Sequence, residues 1–277
     1  PGPGNATTGW LNRALASLPT GGRVAKAGGL AVGPSTPLVI RGAAPVLGWA
    51  PQALPAPGDA LAARVLDLYN HRDPVLAAAL QKGLDADRMA MSDELDGKTM
   101  KPKGDNAAGM RQSAQGAAKL MAADDGPRIA ALAFDGWDTH VNEGGATGRL
   151  ANLLGGLDGA FEEFEKGLGE RWNDTAIVAI TEFGRTARIN GTVGTDHGTG
   201  TVVLLAGGAI KGGRVIADWP GLKPAQLYES RDLAPTSDVR AALKGLLADQ
   251  IGLSAAVLGD KVFPESAAVK PMRDLVV

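Results

Sequence analysis

The sequence predicts an α/β domain built on a mostly parallel sheet. Two observations carry this. Three continuous apolar runs, Ile129–Phe134, Thr175–Ile180 and Thr201–Ala206, are bounded by polar turns, the pattern of strands buried on both faces. Between the first two lie Leu150, Leu153, Leu154, Leu157, Phe161, Phe164 and Leu168, spaced as one apolar stripe of a helix. Strand, helix, strand in that order predicts a right-handed βαβ crossover.

The remaining elements follow in chain order. Residues 1–8 read as a loop end or tail. Trp10, Leu11, Ala14, Leu15 and Leu18 form a helical stripe stopped by Pro19 and the Gly21–Gly22 pair. Residues 30–40 are apolar and β-branched but broken by Pro34 and Pro37, which predicts two short strands. The Pro- and Gly-rich stretch 42–58 reads as a surface loop. A helix begins near Asp59, and a second short one spans 74–84. The polar stretch 89–104 reads as a flexible insertion. Residues 106–122 form a helix of small side chains suited to close packing. Val239, Leu243, Leu246, Leu247 and Ile251 mark a last helix, with Ser237 as N-cap and Gly252 closing it. The whole, 1–277, reads as a single domain without internal repeats.

Composition narrows the function. The chain has 277 residues and 44% hydrophobic content, enough for a substantial core. A net charge of −2 gives no basic surface for nucleic acid. No run of about 18 apolar residues exists to form a transmembrane segment. The absence of cysteine excludes disulfides, thiolate metal sites and a cysteine nucleophile. The Gly207–Gly208 and Gly212–Gly213 pairs lack the spacing and following helix of a dinucleotide-binding loop, and Lys211–Gly213 reads as a hairpin or loop.

Ligands of open parallel sheets bind beyond the carboxyl ends of the strands. Asp135, Asp138 and His140 follow the first apolar run. Glu182 and Arg185 follow the second. Asp196 and His197 precede the third. Two of the three histidines fall here and His71 does not. Imidazole with carboxylate suits a divalent ion such as Zn, Mn or Ca. Asp138 and Asp196 could each serve as ligand or as partner to a ligand histidine. Arg185 could hold an anion bidentately, or Glu182 and Arg185, three apart, could pair as a structural ion pair.

The same residues carry a resemblance. Phe134-Asp-Gly-Trp-Asp-Thr-His140, Thr181-Glu-Phe-Gly-Arg-Thr186, Gly194-Thr-Asp-His197 and Leu204-Leu-Ala-Gly-Gly-Ala-Ile-Lys-Gly-Gly213 occur in this order. With the Gly9-Trp-Leu-Asn-Arg13 start and the Trp49-Ala-Pro51 loop, they resemble the bacterial domain of unknown function 1501 family. That family is similar to the alkaline phosphatase and sulfatase superfamily. The resemblance implies a three-layer α/β/α sandwich and export to the periplasm or beyond. It also implies divalent metal chemistry on small phosphate or sulfate esters. Carried over, Asp138 or Asp135, with His140, fills one metal-binding role and His197 a later one. Thr181–Glu182 stands where the superfamily has Asp-His. The first metal-binding Asp, the nucleophile and a central strand would precede Pro1. The chain is therefore expected to be the C-terminal portion of a longer protein, with its N-terminal portion as partner. The other expectation is a non-catalytic cell-surface or periplasmic assembly protein that keeps the fold.

Overall fold

A computed structural model describes residues 7–19, 21–22, 24, 27–51, 59–91 and 106–277. The strands are β1 (Gly29–Val32), β2 (Val46–Trp49), β3 (Ile129–Leu132), β4 (Ile177–Ala179), β5 (Gly184–Arg185), β6 (His197–Gly198) and β7 (Leu204–Ala206). The helices are α1 (Trp10–Ala16), α2 (Asp59–Arg72), α3 (Pro74–Ala90), α4 (Asn106–Ala122), α5 (Arg149–Leu168), α6 (Val239–Ile251) and α7 (Ala255–Val257), with short 3-10 and π turns between them. Among the described residues no helix is long and apolar enough to cross a membrane.

The fold is mixed α/β around a small parallel sheet in the order β2-β1-β3. β1 lies in the middle, with Gly29 opposite Val46 on one side and Ile129 on the other. All four of its residues are buried. Leu30 and Val32 face a cluster with Ala114, Ala117 and Leu120 of α4 and Leu153 and Phe164 of α5. Ala31 faces the other way, toward Leu15 of α1 and Ile40. A strand covered by helices on both faces must be apolar throughout, and this one is.

Three expectations need correction. β4 does not pair with β3. It pairs antiparallel with β7, Ile177 opposite Ala206, and β5 pairs antiparallel with β6. Parallel pairing is thus confined to the three-stranded sheet, and β4–β7 and β5–β6 are separate two-stranded antiparallel sheets. The chain between β4 and β7 has no crossover helix. It turns back through the β5–β6 hairpin, and a return without a crossover is antiparallel. Second, only one strand forms in 30–40, because Pro37 leads into a 3-10 turn over Leu38–Ile40. Third, the expected loop 42–58 contains β2. Its apolar Val46–Trp49 run pairs with β1 despite the prolines around it. Residues 52–58, and 92–104 of the expected insertion, lie outside the described residues, as do residues 1–6.

Smaller boundaries shift for local reasons. α3 runs on to Ala90. Its N-terminus has Pro74 in the first turn and the Asp73 carboxylate accepting from the amides of Val75 and Leu76 at 3.1 Å. α6 is capped by Asp238, not Ser237; the carboxylate accepts from the Arg240 amide at 2.8 Å. Gly252 ends α6 in the left-handed region (φ 71°), where glycine carries no Cβ penalty.

β4 nevertheless shares its surroundings with the parallel sheet. Ile177 packs on the α4–α5 side, and Val178 on the side of Leu243 and Leu247 of α6. Among the described residues, the second edges of β3 and β4 have no strand partner. Lys244 of α6 is 2% exposed. Its ammonium donates to the carbonyls of Ser266 (2.5 Å) and Val269 (3.0 Å) in the C-terminal segment, and burial lowers its pKa.

α4 and α5 approach closely through small residues. A Cβ at Gly156 would stand 2.6 Å from Ala107 Cα, and one at Gly167 would stand 2.6 Å from Ala118 Cβ. Glu162 of α5 ties the pair at the surface, accepting from Arg111 at 2.9 Å and Lys166 at 2.6 Å. These bonds, that from Lys166 first, lower the Glu162 carboxyl from its ordinary 4.5 to about 2.

Two outcomes follow. Gly156→Ala should destabilise the fold in urea. Overpacking of about 1–3 kcal/mol against backbone outweighs the roughly 1 kcal/mol that alanine gains in helix propensity; an unchanged or higher midpoint refutes the close contact. A carboxyl whose pKa is depressed by folding stabilises above its unfolded value and loses that stabilisation as pH falls toward the folded one. The loss of stability between about pH 5 and pH 2 should therefore be shallower in Glu162→Gln than in the parent, read from unfolding midpoints across that range. Equal slopes would show that the trio contributes nothing.

Candidate metal centre

β3 aims the chain at the site. Three residues past its end comes Asp135, then Gly136 at φ 98°, a conformation that favours glycine, and then Asp138, Thr139 and His140. Thr139 is 1% exposed and pins the segment, while its neighbours Asp138 and His140 reach the surface. The β5–β6 hairpin supplies the other wall. Its register places Arg185 directly opposite His197.

The hairpin loop is laced to the His140 segment. Asn142 and Glu143 donate their amides to the carbonyls of Thr192 and Val193, and Thr195 donates to that of Thr139. The Thr195 hydroxyl donates to Glu143 at 2.6 Å. Gly194 lies against the carbonyls of Thr139 and His140 where any Cβ would clash. Asn190 is the knot. Its Nδ2 donates to the His140 carbonyl (3.0 Å) and to Asp196 Oδ1 (2.9 Å), while its Oδ1 accepts from the amides of Thr192 and Gly194 at 3.0 Å.

The result is a triangle of ligand-type atoms. His140 Nε2 and His197 Nε2 lie 3.1 Å apart, and each is 2.9 Å from Asp138 Oδ1. Asp138, His140 and His197 are the one group of this kind among the described residues. Phe183 stacks on the His197 ring with centroids 3.9 Å apart. Arg185 donates to Asp138 Oδ1 and the Trp137 carbonyl at 2.7 Å and to the Thr195 carbonyl at 2.9 Å. The hydrogen bond with His197, then the charges of His140, His197 and Arg185, lower the Asp138 pKa. The Asp196 pKa is lowered too, first by Asn190 and then by His140.

The donor set fits a cation. Two imidazole nitrogens facing each other at 3.1 Å repel unless a proton or a positive ion lies between them. Ligands of tetrahedral zinc stand about 3.3 Å apart, so a slight expansion of the triangle would admit such an ion. Without an ion, the contact between the two Nε2 atoms is a hydrogen bond in which one ring donates and the other accepts, according to tautomer.

The sequence-predicted residues separate into groups. Asp138, His140 and His197 meet. Asp196 stands behind His140, its Oδ1 3.5 Å from Nδ1. Asp135 and Glu182 are exposed and outside the triangle. Among the described residues Glu182 and Arg185 form no ion pair with each other; Arg185 pairs with Asp138 instead. Asn190 and Phe183 went unread. Asn190–Gly191 carries only a turn signal, and Phe183 sits inside a quoted motif without a chemical group to mark it.

Fold and site thus define a mixed α/β protein with a histidine–carboxylate cluster beyond a strand end. The chain belongs to the DUF1501 family, described as a protein of unknown function, whose family model matches residues 1–262. Neither the curated proteins nor the solved structures contain a match.

Arg185→Ala would remove one donor each from the carbonyls of Trp137 and Thr195 and from the Asp138 carboxylate. Amide exchange across residues 137–143 and 192–197 should then rise about tenfold or more, given roughly 1.5–3 kcal/mol for bonds to a charged group. Arg188→Ala, at an exposed position of the same loop, serves as the control. Unchanged exchange in the Arg185 variant would show that this side chain does not hold the two segments together.

Proposed function

We propose that the chain is part of an exported, metal-dependent hydrolase acting on small phosphate or sulfate esters. The observation that carries this reading is the convergence of Asp138 Oδ1 and the Nε2 atoms of His140 and His197 within about 3 Å of one another. Borderline-hard divalent ions such as Zn or Mn suit that mixture of imidazole and carboxylate. A bound ion would polarise an ester oxygen and lower the pKa of water.

The protein's own groups have distinct roles in this reading. Asp138, His140 and His197 hold the ion. Arg185 orients Asp138 and offsets its charge. Glu182, exposed at the start of the hairpin, offers a carboxylate for proton transfer. Similarity to the alkaline phosphatase and sulfatase superfamily, with its three-layer α/β/α sandwich, supports the ester class. An N-terminal portion of the same protein would supply the nucleophile and one more strand. The edges of β3 and β4 that lack a strand partner among the described residues, with side chains of both strands in one cluster against α4 and α5, are suited to receive such a strand.

A second reading is a non-catalytic cell-surface or periplasmic assembly protein that keeps this fold. Val215, Ile216, Trp219 and Leu222 are exposed within one short stretch, and clustered apolar exposure marks interaction surfaces.

Elemental analysis of the full protein, beside a His140→Ala/His197→Ala variant, tests the hydrolase reading. About one equivalent of a divalent ion is expected in the parent and none in the variant. Hydrolysis of p-nitrophenyl phosphate or sulfate should follow the ion. A parent that takes up no ion after incubation with Zn, Mn and Ca, and cleaves neither ester, overturns this reading in favour of the assembly role.

A further inference from the structure

Asp196 neighbours a candidate ligand in sequence and is itself a carboxylate, so residue type alone suggests a fourth ligand. Its placement points elsewhere. The triangle is built on His140 Nε2. Asp196 Oδ1 faces Nδ1, the other ring nitrogen, at 3.5 Å. The two nitrogens of one imidazole point away from each other, so a carboxylate beside Nδ1 is behind the ring with respect to an ion at Nε2. Asp196 is also not free to swing. Its Oδ1 accepts from Asn190 Nδ2 at 2.9 Å, and that same Nδ2 donates to the His140 backbone carbonyl at 3.0 Å. The amide orientation of Asn190 is fixed by its other end, where Oδ1 accepts from the amides of Thr192 and Gly194. One side chain thus grips both the backbone of His140 and the carboxylate behind its ring.

We infer that Asp196 and Asn190 are positioning residues for His140. Asp196 takes a hydrogen bond from Nδ1–H, and this leaves the Nε2 lone pair directed at the ion. Asn190 holds the carboxylate in place to do so. Outer partners of this kind fix the tautomer and raise the basicity of a metal-binding histidine. The inference rests on the metal-centre reading and goes beyond it by taking Asp196 out of the ligand set and adding Asn190.

The test is cobalt(II) binding to the full chain, with affinity read by competition against a chelating dye and geometry by visible absorption. Asp196→Ala is expected to weaken binding by about 10–100-fold with the absorption bands of the saturated complex unchanged. Asn190→Ala should weaken binding in the same way. Asp196→Asn should recover part of the loss, because an amide oxygen still accepts from Nδ1–H. His71→Ala, in α2, should change nothing. Far-ultraviolet circular dichroism confirms that each variant is folded. Altered bands in Asp196→Ala would make Asp196 a ligand, and unchanged affinity would make it a bystander; either result overturns the inference while leaving the metal centre standing. A parent that binds no cobalt removes the metal centre and this inference together.

Discussion

Burial of β1 on both faces is the constraint from which the rest of the architecture proceeds. A four-residue strand has few side chains with which to hold a sheet together. Here Leu30 and Val32 engage one helical layer, Ala31 the other, and both backbone edges are paired. With nothing left for solvent, the register of β3 against β1 matters to both layers, since a shift of one residue would exchange the side chains that each layer packs against. That register determines where β3 ends. The end of β3 in turn determines where Asp138 and His140 leave the sheet. The site is therefore specified by a packing arrangement that lies entirely beneath it.

The site itself obeys different rules. Its charged groups are largely exposed, and isolated ion pairs at a surface contribute little. What holds the geometry is the backbone lacing between residues 139–143 and 192–195, together with side chains that bond to main-chain atoms. Arg185 reaches two carbonyls as well as Asp138, and Asn190 makes three main-chain contacts besides its bond to Asp196. A wet site can be rigid when its polar side chains are spent on the main chain. The three ligand-type atoms are then left facing one another.

What could be read in the sequence was what depends on local pattern. The apolar runs located β3, β4 and β7, and the heptad-like stripe located α5, because burial writes itself into consecutive residues. Strand pairing did not show, because it depends on how the chain returns. The β5–β6 hairpin is only two residues per strand and leaves almost no pattern. β2 was hidden because Val46–Trp49 is short and set among prolines and glycines that outweigh it in any local window. The metal-type cluster was legible because histidine is rare here and two of three flank strands. The division of labour within it was not. Whether Asp196 or Asp138 meets Nε2 is a matter of side-chain direction, and adjacent residues in a turn carry no signature of that. The family match settles membership and leaves the chemistry to the site.

The buried amine of Lys244 gives the C-terminal segment an unusual standing. An ammonium group inside a core must be solvated by something, and here the solvent consists of peptide carbonyls from Ser266 and Val269. That stretch of chain is irregular and would look expendable by its secondary structure. In effect it serves as the hydration shell of a helix residue, made of protein and held by covalent continuity. The final residues thus belong to the interior of the molecule in a chemical sense, although they run along its outside.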